Sequence, residues 1–214
     1  MSETMITALI SAGATLAVAI ITLFVNAYIE SFRSKLEVQQ KMFQSKRENL
    51  NDIYKTLISI INLYPSSSPN DILKFVEYSP NYSMEDYDSV LRSLDYKVED
   101  YKNQLNVGNI DYELKSDIET QISNIEYAKN KISANRDEYH IARDKYKSFC
   151  ECDKIAFDLY AGQEVRNCHE KFGVVIHNVF ISGRNAGEDG DPIKNIIHIS
   201  RRDLINSMRS DLGI

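Results

Sequence analysis

The chain has 214 residues, enough for one ordinary domain plus an anchor, and its net charge of −6 argues against a general nucleic-acid binder, which is usually basic. Few Gly and Pro (eight and four), no Trp and 26% charged residues suit helices with solvated faces. Three cysteines, Cys150, Cys152 and Cys168, cannot all pair within one chain, which excludes a closed secreted disulfide framework and fits a reducing compartment.

From Thr4 to Ile29 there is no charged residue, and within Met5–Ile29 only Thr7, Ser11, Thr15, Thr22 and Asn26 are polar. A helix over this stretch is roughly 37 Å long, enough to cross a hydrocarbon core of about 30 Å with some tilt. The expectation is an uncleaved transmembrane helix. A signal peptide fits less well, because Met1–Thr4 holds no Lys or Arg and the apolar run exceeds an ordinary signal core. Only Glu3 precedes the span, whereas Arg33, Lys35, Lys41, Lys46 and Arg47 follow it. That asymmetry places the N-terminus outside and the body on the cytoplasmic side of the inner membrane, with the five basic residues near lipid head groups. Gly13-x-x-x-Ala17 is a small-residue pair that lets two spans approach, and Asn26 is a second candidate for holding copies together.

Beyond Ile29 no Pro or Gly occurs before Pro65. Leu36, Phe43, Leu50, Leu57 and Tyr64 are seven apart, with Ile53 and Ile60 at the intermediate position and Gln39 and Lys46 holding it nearer the span. This heptad seam predicts one helix continuing to about Tyr64, broken by residues 65–70. A short helix is expected over Asp71–Tyr78. Ser83 is the expected N-cap of the next, along which Met84, Tyr87, Leu91, Leu94, Val98, Tyr101 and Leu105 step by three and four; Gly108 is its expected left-handed cap. A further helix is expected from Asp111 to about Tyr160, with Asn135 as a polar seam residue that sets register and a kink near residues 133–135. Val165, Phe172, Ile176 and Val179 mark another helix. Gly183–Asp191 reads as a mobile loop, and Asp191-Pro192 as the start of the last helix, which ends at Leu212-Gly213.

The expected fold class is therefore all-α: an N-terminal transmembrane helix, residues 1–29, followed by an elongated antiparallel helical bundle or coiled-coil-like cytoplasmic body, residues 30–214. Residues 71–126 carry thirteen acidic and five basic residues, while residues 194–214 are basic and are expected to dock on that acidic hairpin or on lipid.

No constellation in the chain reaches the standard of a catalytic motif. Cys150, Cys152, Cys168 and His169 are placed at spacings that diverge on a helix, so no metal site is expected. Asp137-x-x-His140 has no second copy to complete a di-metal site, and His177 and His198 are isolated. Nucleophile-elbow and phosphate-binding glycine motifs are absent. The thirteen tyrosines fall mostly on seam positions and read as packing residues. Neither cofactor nor catalytic residue is expected.

The layout of one span and a helical body, with the ending Met208-Arg-Ser-Asp-Leu-Gly213, resembles small uncharacterised bacterial single-span membrane proteins, some of them neighbours of phage-defence or abortive-infection systems. The resemblance implies action at the inner membrane and brings no catalytic residue. The leading expectation is a non-enzymatic, membrane-anchored module that oligomerises through its span or binds a protein partner, as a defence effector would. The alternative is a ligand-sensing or enzymatic helical domain with a pocket near residues 150–200.

Overall fold

The computed structural model describes residues 3–79, 81–108 and 110–214, without the side chains of residues 3–12, Thr15 and Ala17. Every regular element among them is helical, as expected for an all-α chain. The chain divides into two compact units, Met1–Asn49 and Leu50–Ile214.

Helix α1 is Glu3–Ile61. Within the first unit its described side chains, half-buried Lys46 apart, are exposed, from Leu16 (66%) and Phe24 (73%) to Leu36 and Phe43. Thr22 returns its hydroxyl to Val18 O at 2.8 Å, so it adds no unpaired polar group to the helix surface. Among the described residues no helix is long and apolar enough to cross a membrane. The expected span, Met5–Ile29, begins in residues 5–12, whose side chains lie outside the described ones.

In the second unit the expected seam is buried: Leu50, Leu57 and Ile60 are at most 4% exposed. Helix α1 ends just before the expected Tyr64, because Leu63 N–H turns back to Ile60 O and the Arg201 guanidinium donates to Ile61 O and Tyr64 O. A cation on the last carbonyls of a helix satisfies orphan acceptors and complements the dipole. One basic residue of the tail thus docks on the end of α1 and not on the acidic hairpin.

Helix α2 is only Pro69–Leu73, capped by Ser68, shorter than the expected Asp71–Tyr78. Ser83 opens a 3-10 turn, Met84–Asp86, before α3, Tyr87–Asn106. That helix ends through extended Val107, whose N–H binds Gln104 O, so Gly108 does not supply the expected left-handed cap. Helix α4, Tyr112–Cys152, pairs with α3 through Val90, Leu94 and Val98 against Ile125, Ala128 and Ile132. Each such fully buried aliphatic side chain contributes about 1.5–3 kcal/mol. Helix α4 runs unbroken through residues 133–135, where a kink is expected. Ser133 Oγ bonds Tyr87 OH and Lys129 O, and Asn135 Nδ2 donates to Ser67 O at 2.8 Å, while the buried Asn135 Oδ1 has no hydrogen-bond partner. Asn135 thereby ties the seam to the turn at residues 65–70. The break falls later, at Asp153, before α5, Lys154–Tyr160; there Phe149 and Phe157 meet edge to face.

Helix α6, Gln163–Ile176, continues into a π-helical turn, His177–Ile181. Helix α7 is Ile196–Leu212, packed on α6 and closed by left-handed Gly213. Its start is not Asp191-Pro192. Asp191 instead closes a turn onto Ile193 N and Lys194 N, and the cap is Asn195, whose Oδ1 accepts from Ile197 N and His198 N.

The loop between them is held, contrary to its mobile-looking composition. Asp71 Oδ2 accepts from Ala186 N at 2.7 Å, Gly187 N at 3.2 Å and Ser68 Oγ at 2.6 Å. Asn70 Nδ2 donates to Gly183 O while its Oδ1 accepts from Tyr82 N. Gly183 has φ +67°, and a Cβ there would meet Tyr82 O at 3.0 Å. Glycine is the residue that fits both demands.

Candidate functional site

The residues singled out from sequence fall in three places. Gly13, Asn26, Arg33, Lys35, Lys41 and Arg47 are exposed on α1, Lys46 is half-buried, and the Ala17 side chain is outside the described residues. Gly13 and Asn26 are thirteen positions apart on one helix, about 220° around its axis, so they occupy different faces. Cys150 and Cys152 are exposed and Cys168 is half-buried beside Glu164. No group of three or more metal-ligating side chains converges among the described residues.

The third place is a cavity in the second unit, which no single stretch of sequence announces. It has a volume of 190 Å³ and is lined by Ile61, Tyr64, Tyr139, Tyr146, His169, Phe172, Gly173, Ile176, His177 and Ile181. The end of helix α1 supplies Ile61 and the turn after it Tyr64, α4 supplies the next two, and α6 with its π-turn the rest. Tyr64 meets Tyr139 and Phe172 edge to face, with centroids 6.1 and 5.8 Å apart. Tyr146 stacks on His169 and its hydroxyl lies 3.0 Å from His169 Nε2. Gly173 and His177 are exposed and form the mouth.

Two backbone features stand out at that mouth. Gly173 lies inside a 14-residue helix, where glycine costs about 1 kcal/mol relative to alanine. Packing does not require it, since a Cβ built there meets nothing within 4 Å. The π-helical turn adds a residue to the ladder, with Ser182 N–H reaching back to His177 O. Such turns recur at functional sites.

Burial holds the three phenols and His169 of the cavity toward their neutral forms. Burial pushes the Tyr64 phenol up to about 12, helped by Tyr139, and raises Tyr139 and Tyr146 as well. Burial, reinforced by Lys154, lowers His169 below its ordinary value. Glu170 Oε1 lies 3.7 Å from His169 Nδ1, too far for a hydrogen bond, and that nitrogen has no hydrogen-bond partner. His140, edge-on to Tyr139, is lowered by burial and by Arg143 and Arg136.

These two histidines make stability pH-dependent. Between their lowered folded values and the unfolded value near 6.5, the unfolded chain binds more protons than the folded one. Stability therefore rises with pH across that interval and is lost as the pH falls below about 6.5. The urea midpoint of the wild type should drop on mild acidification, and His169→Gln should blunt that drop. Equal acid sensitivity in the variant would place its origin elsewhere.

The sequence carries a signal for this cavity in its tyrosines. Tyr64, Tyr139 and Tyr146 sit on seam positions that favour packing, yet a buried phenol is a costly core filler unless its hydroxyl has a partner. Comparison with protein-family models, with curated proteins and with solved structures finds no match.

Proposed function

We propose that the chain is a membrane-anchored, non-enzymatic helical module that self-associates through α1. The carrying observation is the change of surface along that helix. From Leu16 to Ile29 the exposed apolar side chains Leu16, Val18, Ile20, Ile21, Leu23, Phe24, Val25 and Ile29 cover about two-thirds of the circumference. A helix apolar over so wide an arc needs lipid or a protein interior around it. From Glu30 onward charged residues enter the surface: Phe32, Leu36 and Phe43 share one stripe, Val38 and Met42 lie exposed off it, and Arg33, Lys35 and Lys41 stand between them. A span followed by a basic, striped helix is the pattern of an inner-membrane anchor with the body in the cytoplasm. The stripe is then available to a second copy or another protein, and an effector that perturbs the membrane by assembling there is one form of this reading.

The test joins topology to assembly. A reporter fused after Ile214 should be active only in its cytoplasmic form, and crosslinking in intact membranes should trap pairs. Gly13→Leu and Asn26→Leu, made separately, identify which face joins the copies: the face in use loses its crosslinks while helix content is unchanged. Export of the reporter overturns the orientation, and a wild type that yields no crosslinks and runs as a monomer in lipid nanodiscs overturns self-association.

A further inference from the structure

The cavity beneath Gly173 is not absorbed by the anchoring role, and its walls describe an occupant. We propose that it is a binding site for a small neutral aromatic molecule carrying one hydrogen-bonding group, of the size of phenol or indole. The inference stands independently of how α1 is used.

Size comes first. A cavity of 190 Å³ exceeds the apolar cavity of about 150 Å³ known to admit benzene. One ring with a substituent, or a small fused pair, matches it. Chemistry comes second. No lining residue is Asp, Glu, Lys or Arg, so an ion entering would lose its hydration with no counter-charge. The rings of Tyr64, Tyr139, Tyr146 and Phe172 offer edges and faces against which another ring packs with a gain beyond burial.

The hydrogen-bonding group follows from what is left over. Among the described residues neither the Tyr64 nor the Tyr139 hydroxyl makes a hydrogen bond, although both residues are at most 7% exposed. A phenol can donate and accept, so either would pair with a hydroxyl or ring N–H of an entering molecule. An aromatic cage for a quaternary ammonium is the competing chemistry. It is disfavoured by Arg143, whose positive charge reaches both of those hydroxyls, and by the missing carboxylate. Access is the third point. Gly173 leaves open space where any other residue would project a side chain at the mouth. The structural cost of that glycine is otherwise without return.

Indole is a direct probe, because the chain has no Trp and indole can be excited beyond tyrosine absorption. The experiment titrates indole into proteoliposomes carrying the full chain, with empty vesicles as the partition reference. The expected result is a saturable emission shift above that reference, weakened about tenfold or more in Gly173→Leu, which fills the space. Because Cβ at position 173 meets nothing and glycine weakens a helix interior, that variant should have a thermal midpoint no lower than the wild type's. A second variant guards against a folding defect. Tyr64→Phe with Tyr139→Phe keeps both rings and removes both hydroxyls. Wild type should bind phenol about fivefold more tightly than toluene, the worth of one hydrogen bond, and the double variant should lose that preference. The proposal is overturned by no saturable signal over empty vesicles, by equal binding in Gly173→Leu, or by displacement of indole by tetramethylammonium.

Discussion

Asn195→Ala is expected to destabilise the body by about 2–4 kcal/mol. The side chain is 0% exposed and works in two directions at once. Its Oδ1 accepts from Ile197 N at 3.0 Å and His198 N at 3.1 Å, capping α7. Its Nδ2 donates to Ser66 O at 2.9 Å and Gly187 O at 3.1 Å, tying α7 to the turn after α1 and to the loop before α7. Loss of an N-cap costs about 1 kcal/mol, and the buried groups left unpaired add about 1–3 kcal/mol. Asn195→Ser separates the two roles, since its hydroxyl keeps the cap acceptor and is too short for the donations, so it should fall between alanine and wild type. Urea unfolding followed by circular dichroism reads the difference. An alanine variant within about 0.5 kcal/mol of wild type would mean that water replaces the side chain and that the clasp is not structural.

Replacing Leu16 and Leu23 together by Arg should move the chain out of the alkali-washed membrane fraction. Both side chains are exposed, at 66% and 69%, and they lie two helical turns apart on one face. Neither contributes to a core cluster, so the body should fold as before. Each Arg near the centre of a span costs about 2.5–3.5 kcal/mol to insert, hence about 5–7 kcal/mol for the pair. Leu16→Phe with Leu23→Phe should leave the chain in the membrane. If the double Arg variant stays in the washed membranes, the anchor reading of α1 falls. The exposed apolar surface would then belong to a protein partner.

Much of the helical layout was legible because it depends on near neighbours. The steps of three and four in α3 and α4 report which face of each helix is covered, and Leu94, Ile125 and Ile132 are buried accordingly. The seam of α1 was legible for the same reason, yet its meaning changes along the helix. Leu36 and Phe43 occupy the same heptad position as Leu50 and Leu57, but only the latter pair is covered by the chain's own helices. Periodicity shows that a face is apolar, not what covers it.

Helix ends were less legible, because cap signatures compete. Asp191-Pro192 and Asn195 are both good starts for α7, and Asn195 prevails through a second set of bonds to Ser66 O and Gly187 O. Asp71 holds the loop at Ala186 and Gly187 across more than one hundred positions, so a polar, glycine-bearing segment that reads as mobile is pinned. The tyrosine-lined cavity is the extreme case. Tyr64, Tyr139, Tyr146 and His169 each satisfy a local helical pattern, and the space among them exists only where α1, α4 and α6 converge. Helix identity follows from a repeat of about 3.6 residues, which any short stretch carries within itself. A void, a clasp or a cap shared with a distant carbonyl is a distance between segments, and tertiary packing alone decides that distance.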